Sequence, residues 1–171
     1  TLADTPSLAT LALQHALSHD DAGLVHRLAA QGMRFDAPLR GSAQPLDVAL
    51  MQHAYAAAQA LLDAGAPVSP TAIHRFDRKP SAELVERLLA QGAQAYALGV
   101  ARCVACGSPE AARLVAAACG DGIAAAFAEV RDSMANSYQE DLHKVRAGKL
   151  GHYLGADGLA ERVANLRAFS L

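Results

Sequence analysis

A chain of 171 residues is long enough for one domain with a continuous core. Hydrophobic residues make up 52% of it but aromatics only 5%, and Ala dominates over scattered Val and Ile. That balance excludes a large β-sheet and predicts an all-α protein of closely approaching helices. A net charge of −2 gives no general attraction to nucleic acid or anionic membrane, and no apolar run reaches the roughly 18 residues of a membrane span.

Taken in chain order, residues 8–18 read as a first helix. A second follows, with Leu24, Val25 and Leu28 on one face, and ends at Gly32. Residues 33–41 form the longest connection. Pro45 opens the next helix, 45–52, because its missing N–H is harmless in a first turn. The partner helix carries Ala57, Ala58, Leu61 and Leu62 and stops at Gly65. A short helix over 72–77 is followed by one bearing Leu84, Val85, Leu88 and Leu89, which stops at Gly92. A fourth pair runs over 99–106 and then through Ala111, Leu114 and Val115 to Cys119-Gly120, with Ser108 as N-cap and Pro109 in its first turn. A longer helix is expected over 123–146, with Phe127, Val130, Met134, Tyr138 and Leu142 at helical spacing, and a last one over 158–169.

The stops are regular. Gly32 and Gly65 lie 33 positions apart, Gly65 and Gly92 lie 27 apart, and a further 27 reaches Cys119. A glycine after an amphipathic helix supplies the left-handed residue on which helices commonly end. Each interval therefore encloses a helix pair, the signature of a solenoid.

Gln44-Pro45-Leu46-Asp47, Ala49, Leu61-Leu62 and Gly65-Ala66 resemble the ankyrin repeat, as do Thr71-Ala72-Ile73-His74, Leu84-Val85, Leu88-Leu89 and Gly92-Ala93. The first unit matches through Leu13, Ala16, Leu24-Val25 and Gly32, and the fourth through Val100, Cys103, Gly107 and Leu114-Val115. The resemblance implies a single domain of about four repeats over 8–122, with a helical C-terminal cap over 123–171 whose polar outer face closes the solenoid. The 27-residue units fall about six residues short of a full repeat. One hairpin finger is expected, in 33–41, and two shortened ones.

The resemblance also implies non-catalytic protein–protein recognition through the concave face of first helices and loops, with no cofactor. On this chain that face carries His15, Ser18, His19, Arg34, Phe35, Leu39, Arg40, Met51, Gln52, Arg75, Arg78, Lys79 and Arg102. Arg75, Arg78, Lys79 and Arg102 would form a basic patch for a protein partner with an acidic surface. Phe35, Leu39 and Met51 would be apolar anchors beside it. The bland alternative is a solvated basic face whose Arg stems cover a core edge. An alternative within the binding class is an immunity or inhibitor protein that masks a toxin or enzyme, in keeping with an Ala-rich, bacterial-type composition.

Cys103 and Cys106 form a CxxC that would serve a redox or metal-dependent enzyme. A βαβ context or a second ligand pair is missing, and Cys103 falls where the repeat wants a small core residue. His15 and His19, four apart on a helix, could face one metal, but no carboxylate motif joins them. No nucleophile elbow or phosphate loop appears. Three cysteines fit a reducing compartment, so the cytoplasm is the expected location.

Overall fold

The computed structural model describes residues 7–39 and 41–171, and among them it is all-α, with nine α-helices. They are α1 (Leu8–Ser18), α2 (Ala22–Ala30), α3 (Pro45–Met51), α4 (Tyr55–Asp63), α5 (Ala82–Ala90), α6 (Ala97–Ala105), α7 (Pro109–Cys119), α8 (Ile123–Arg146) and α9 (Gly155–Ala168). A single 3-10 turn, Ala72–Arg75, stands between α4 and α5. None of the described helices is long and apolar enough to cross a membrane.

The packing runs in two rows. An inner row steps from α1 to α3, to the 3-10 turn, to α6 and then to α8. An outer row steps from α2 to α4, α5 and α7. Small residues make this possible: Ala16, Ala49, Ala57, Ala58, Ala101 and Ala111 are fully buried between helices, and Leu13, Leu61, Leu84 and Leu88 fill the space around them. Each buried Leu contributes about 1.5–3 kcal/mol.

The outer-row helices α2, α4 and α5 share one ending. After α2, Gly32 at φ 85° donates its N–H to Ala29 O, and Met33 donates to Leu28 O. Gly65 and Ala66 repeat this on Leu62 and Leu61, and Gly92 and Ala93 on Leu89 and Leu88. The next residue in each case, Met33, Ala66 or Ala93, turns at least partly into the core.

Several bonds tie successive helix pairs together. Asp20 Oδ1 accepts from Ala57 N–H at 2.8 Å and so caps the next unit's α4. Tyr55 Oη donates to Arg78 O at 2.8 Å. Ser108, expected to cap its own helix, instead donates Oγ to Pro80 O at 2.9 Å and is buried there, tying the fourth unit to the third. The two shortened connections meet through one backbone bond, Gln94 N–H to Pro70 O, at 2.9 Å.

Two expectations are revised. The described residues 33–39 and 41–44 hold no strand, only a single bridge residue, Ala43, whose O accepts from Leu39 N–H at 2.9 Å; Phe35 turns into the core, holding the connection against the helices. The helix expected over 72–77 stops at Arg75, where Phe76 turns extended (ψ 128°) and buries its ring fully. The edge of the buried Phe76 ring meets Tyr55 with centroids 5.8 Å apart.

The missing turn leaves room that the last helices fill. α8 and α9 pack along each other and both rest on α6. Phe127 and Phe169 meet edge to face at 5.7 Å, and Asn165 Nδ2 donates to Ala105 O at 3.3 Å. Arg162, on α9, reaches the freed segment: Nη1 lies 2.9 Å from Asp77 Oδ1, and Nη2 donates to Asp77 O.

Candidate functional site

Where the inner row meets α8, the surface opens into a cleft of about 510 Å³. That size lies within the ~300–1,000 Å³ of small-molecule and peptide-side-chain sites. One wall is α6, through Leu98 and Arg102. The other is α8, whose 3.6-residue turn aligns Glu129, Ser133 and Ser137 in one row and Val130, Met134 and Tyr138 in the next. The apolar row is partly buried against the core, so it forms the inner side of the cleft.

Tyr153 closes one end. It comes from the connection 147–154, which contains Gly148 and runs into Gly155, both of positive φ. Its ring is exposed, stacked on His152 at 4.6 Å, and its hydroxyl donates to Asp77 Oδ1 at 2.7 Å. Asp77 thus receives Tyr153 and Arg162 together. Burial alone would raise its pKa, but the Tyr153 hydrogen bond and the Arg162 charge outweigh it and hold the carboxyl below its ordinary range. Burial and that same bond push the Tyr153 phenol up to about 12. Arg162 is only 5% exposed and also donates Nη1 to Tyr138 Oη at 2.9 Å, with its guanidinium 5.5 Å from the Tyr138 ring centroid.

The expected basic patch divides in two. Arg75 and Arg102 flank His74 on the inner row. Burial lowers the His74 pKa, and the two cations lower it further. Arg75 Nε lies 3.7 Å from the buried Asp47 Oδ1, an ion pair without a hydrogen bond. Arg102 is half-buried, and its Nε is shut from solvent with no hydrogen-bond partner among the described residues; no carboxylate is paired with it there. His74 Nε2 is likewise buried and unpartnered. Arg78 and Lys79 are exposed and line a separate hollow beside Cys106, Glu161 and Arg162.

The remaining predicted residues lie near the other end. Leu39 and Gln52 line a smaller hollow with Leu11, His15 and Ser18. Met51 is 44% exposed, as an anchor requires. Phe35 is 4% exposed and belongs to the core, so its ring is not a surface anchor. Arg34 is exposed and pairs with Asp36 at 2.5 Å. Arg40 lies outside the described residues. His15 and His19 rings sit 4.1 Å apart, and among the described residues no three metal-ligating side chains converge.

The CxxC is split between core and rim. Cys103 is fully buried, and burial pushes its thiol up to about 12. Cys106 is half-buried and its thiol is also raised by burial. Both are therefore protonated near neutral pH.

Sequence reasoning missed the α8 wall and Tyr153. The row Glu129–Ser133–Ser137 was legible as one helix face, but nothing in the sequence said that it would face Arg102. The chain matches no family model, no curated protein and no solved structure.

Proposed function

We propose that this chain is a non-catalytic recognition module of ankyrin type, which holds a partner protein against its inner row, with α8 and α9 as the cap at one end. The two-row packing and the shared Gly32, Gly65 and Gly92 endings support the repeat reading. The observation that carries the binding reading is the cleft between α6 and α8, where Arg102 stands half-buried with an unpartnered nitrogen. The buried Nε is out of reach, but the Arg102 Nη groups are not among the buried unpartnered atoms, and a half-buried guanidinium gains when an anionic group from outside pairs with them. The raised thiols of Cys103 and Cys106 favour this reading over redox chemistry, since the thiolate is the reactive form.

The test is site-directed photocrosslinking. A photoreactive residue at Ser133, in the cleft, is compared with one at Glu86, exposed on the outer-row helix α5. A single saturable protein adduct from Ser133, absent at Glu86 and weakened by Arg75→Glu/Arg102→Glu, supports the reading. Adducts of equal pattern from both positions, or none from Ser133, overturn it.

A further inference from the structure

We infer that the α6–α8 cleft is a subsite for a short extended peptide segment carrying an acidic side chain next to an apolar one, with the carboxylate on Arg102 and the apolar group on Leu98, Val130 and Met134. This rests on the protein-binding reading and goes further, by naming the place and the chemistry.

Three features select this occupant. The first is charge. Arg75 already has Asp47 at 3.7 Å, whereas Arg102 lines the cleft without a paired carboxylate among the described residues. A planar guanidinium matches a carboxylate with two parallel hydrogen bonds. The second is shape. Glu129 to Ser137 spans eight residues of helix, about 12 Å at 1.5 Å per residue, which is the length of three or four extended residues. The third is the layering of α8. Its apolar row lies against the core and its hydroxyls, Ser133 and Ser137, stand at the rim, so an extended backbone finds hydrogen-bond partners beside an apolar floor. Glu129 lines the same cleft and repels a second acidic group, so one carboxylate beside an apolar side chain is favoured over two.

The experiment measures binding of fluorescein-labelled Gly/Ser octapeptides bearing a central Glu-Leu, Gln-Leu or Glu-Ser pair, by fluorescence anisotropy on the whole chain. The Glu-Leu peptide binds about 10-fold tighter than Gln-Leu, the size of one charge-assisted hydrogen-bonding gain. It also binds tighter than Glu-Ser. Arg102→Gln reduces the Glu preference to under about 2-fold, and Glu129→Gln leaves or strengthens it. Ser137→Glu, on an exposed position where folding is not at stake, abolishes the preference. Equal binding of Glu-Leu and Gln-Leu, a preference that survives Arg102→Gln and Ser137→Glu, or no binding at millimolar peptide overturns the inference. Displacement by free leucine, lost with Glu129→Gln, overturns it in favour of a small zwitterion held between Arg102 and Glu129. A chain that fails these tests but still yields the Ser133 adduct loses the subsite and keeps the binding role; loss of the adduct removes both.

Discussion

Arg162 of α9 and Asp77, in the segment between the 3-10 turn and α5, are 85 residues apart in sequence, and Nη1 lies 2.9 Å from Oδ1. The pair exists because the helical segment before α5 is short. A full helix through 72–77 would carry Asp77 in its last turn; the 3-10 turn ends at Arg75 and leaves Asp77 in the segment that receives Arg162 and Tyr153. Removing one partner leaves the other charged and sequestered, which is costlier than removing both. Asp77→Asn or Arg162→Met is expected to destabilise by about 3 kcal/mol, and the Asp77→Asn/Arg162→Met double variant by less than the sum. Urea unfolding of the four proteins checks it; additive losses would mean the pair is not coupled.

The same segment predicts an acid response. The Asp77 carboxyl is held below its ordinary range, so its contribution is complete above about pH 3.9 and lost as pH falls through the lower folded value. His53 and His74 are both lowered, first by burial and then by neighbouring arginines, Arg78 for His53 and Arg102 for His74. They take up protons at lower pH when folded than in the unfolded chain, which does so near pH 6.5, so their contribution is present above that pH and declines below it. The urea midpoint should therefore fall from pH 7.5 to 5, and fall again below pH 4. His53→Asn/His74→Asn should flatten the first step and leave the second. A midpoint constant from pH 7.5 to 5 in the native chain would contradict the assignment.

Much of this architecture was legible. The 33- and 27-residue glycine spacing predicted where helices stop, and α1 and α8 lie at the bounds their apolar periodicity gives. What escaped depended on partners distant in sequence. Ser108 looked like a helix cap because Pro109 and Glu110 follow it, but a carbonyl 28 positions earlier takes its hydroxyl. Phe35 reads as an anchor because the repeat resemblance puts the 33–41 connection on the binding face, but it fills the core. The Arg75, Arg78, Lys79 and Arg102 patch looked continuous because repeat spacing aligns such positions, and the shortened 3-10 turn divides it. Local pattern fixes the helices, while the cleft arises where α8 crosses the end of the inner row.

The bonds between units should matter more than those within helices. Asp20 adopts φ 52° and its carboxylate caps Ala57 N–H, two demands that Asn also meets. Asp20→Asn is expected to stay within about 0.5 kcal/mol of the native chain, whereas Asp20→Ala loses the cap and meets backbone strain, costing about 2 kcal/mol. Ser108→Ala strands the buried side of the Pro80 carbonyl, for about 1–2 kcal/mol. Thermal unfolding ranks the three; Asp20→Asn matching Asp20→Ala would remove the geometric argument.

Gly99 tests how tightly the inner row is packed. It is a glycine inside α6, where alanine would gain about 1 kcal/mol of helix propensity. A Cβ there would sit 3.0 Å from Ile73 Cγ2 and 3.4 Å from Val115 Cγ1. Overpacking costs about 1–3 kcal/mol and wins, so Gly99→Ala is expected to destabilise slightly, and adding Ile73→Val should recover most of the loss. A stabilised Gly99→Ala chain would show that Ile73 has room to yield.

Phe35 and Met51 separate core from contact surface. Both are large apolar side chains near the loop face, but Phe35 is 4% exposed and Met51 44%. Phe35→Ala should lower stability by about 3–5 kcal/mol because it opens a cavity behind the 33–44 connection. Met51→Ala removes no buried packing of that kind and should shift stability by less than about 0.5 kcal/mol. If the inner row binds a partner along its whole length, Met51→Ala weakens partner capture at unchanged melting temperature. If binding is confined to the α6–α8 cleft, Met51→Ala leaves capture intact and only Arg102→Gln reduces it. Comparing the two variants in one capture assay therefore measures how far along the inner row the contact extends.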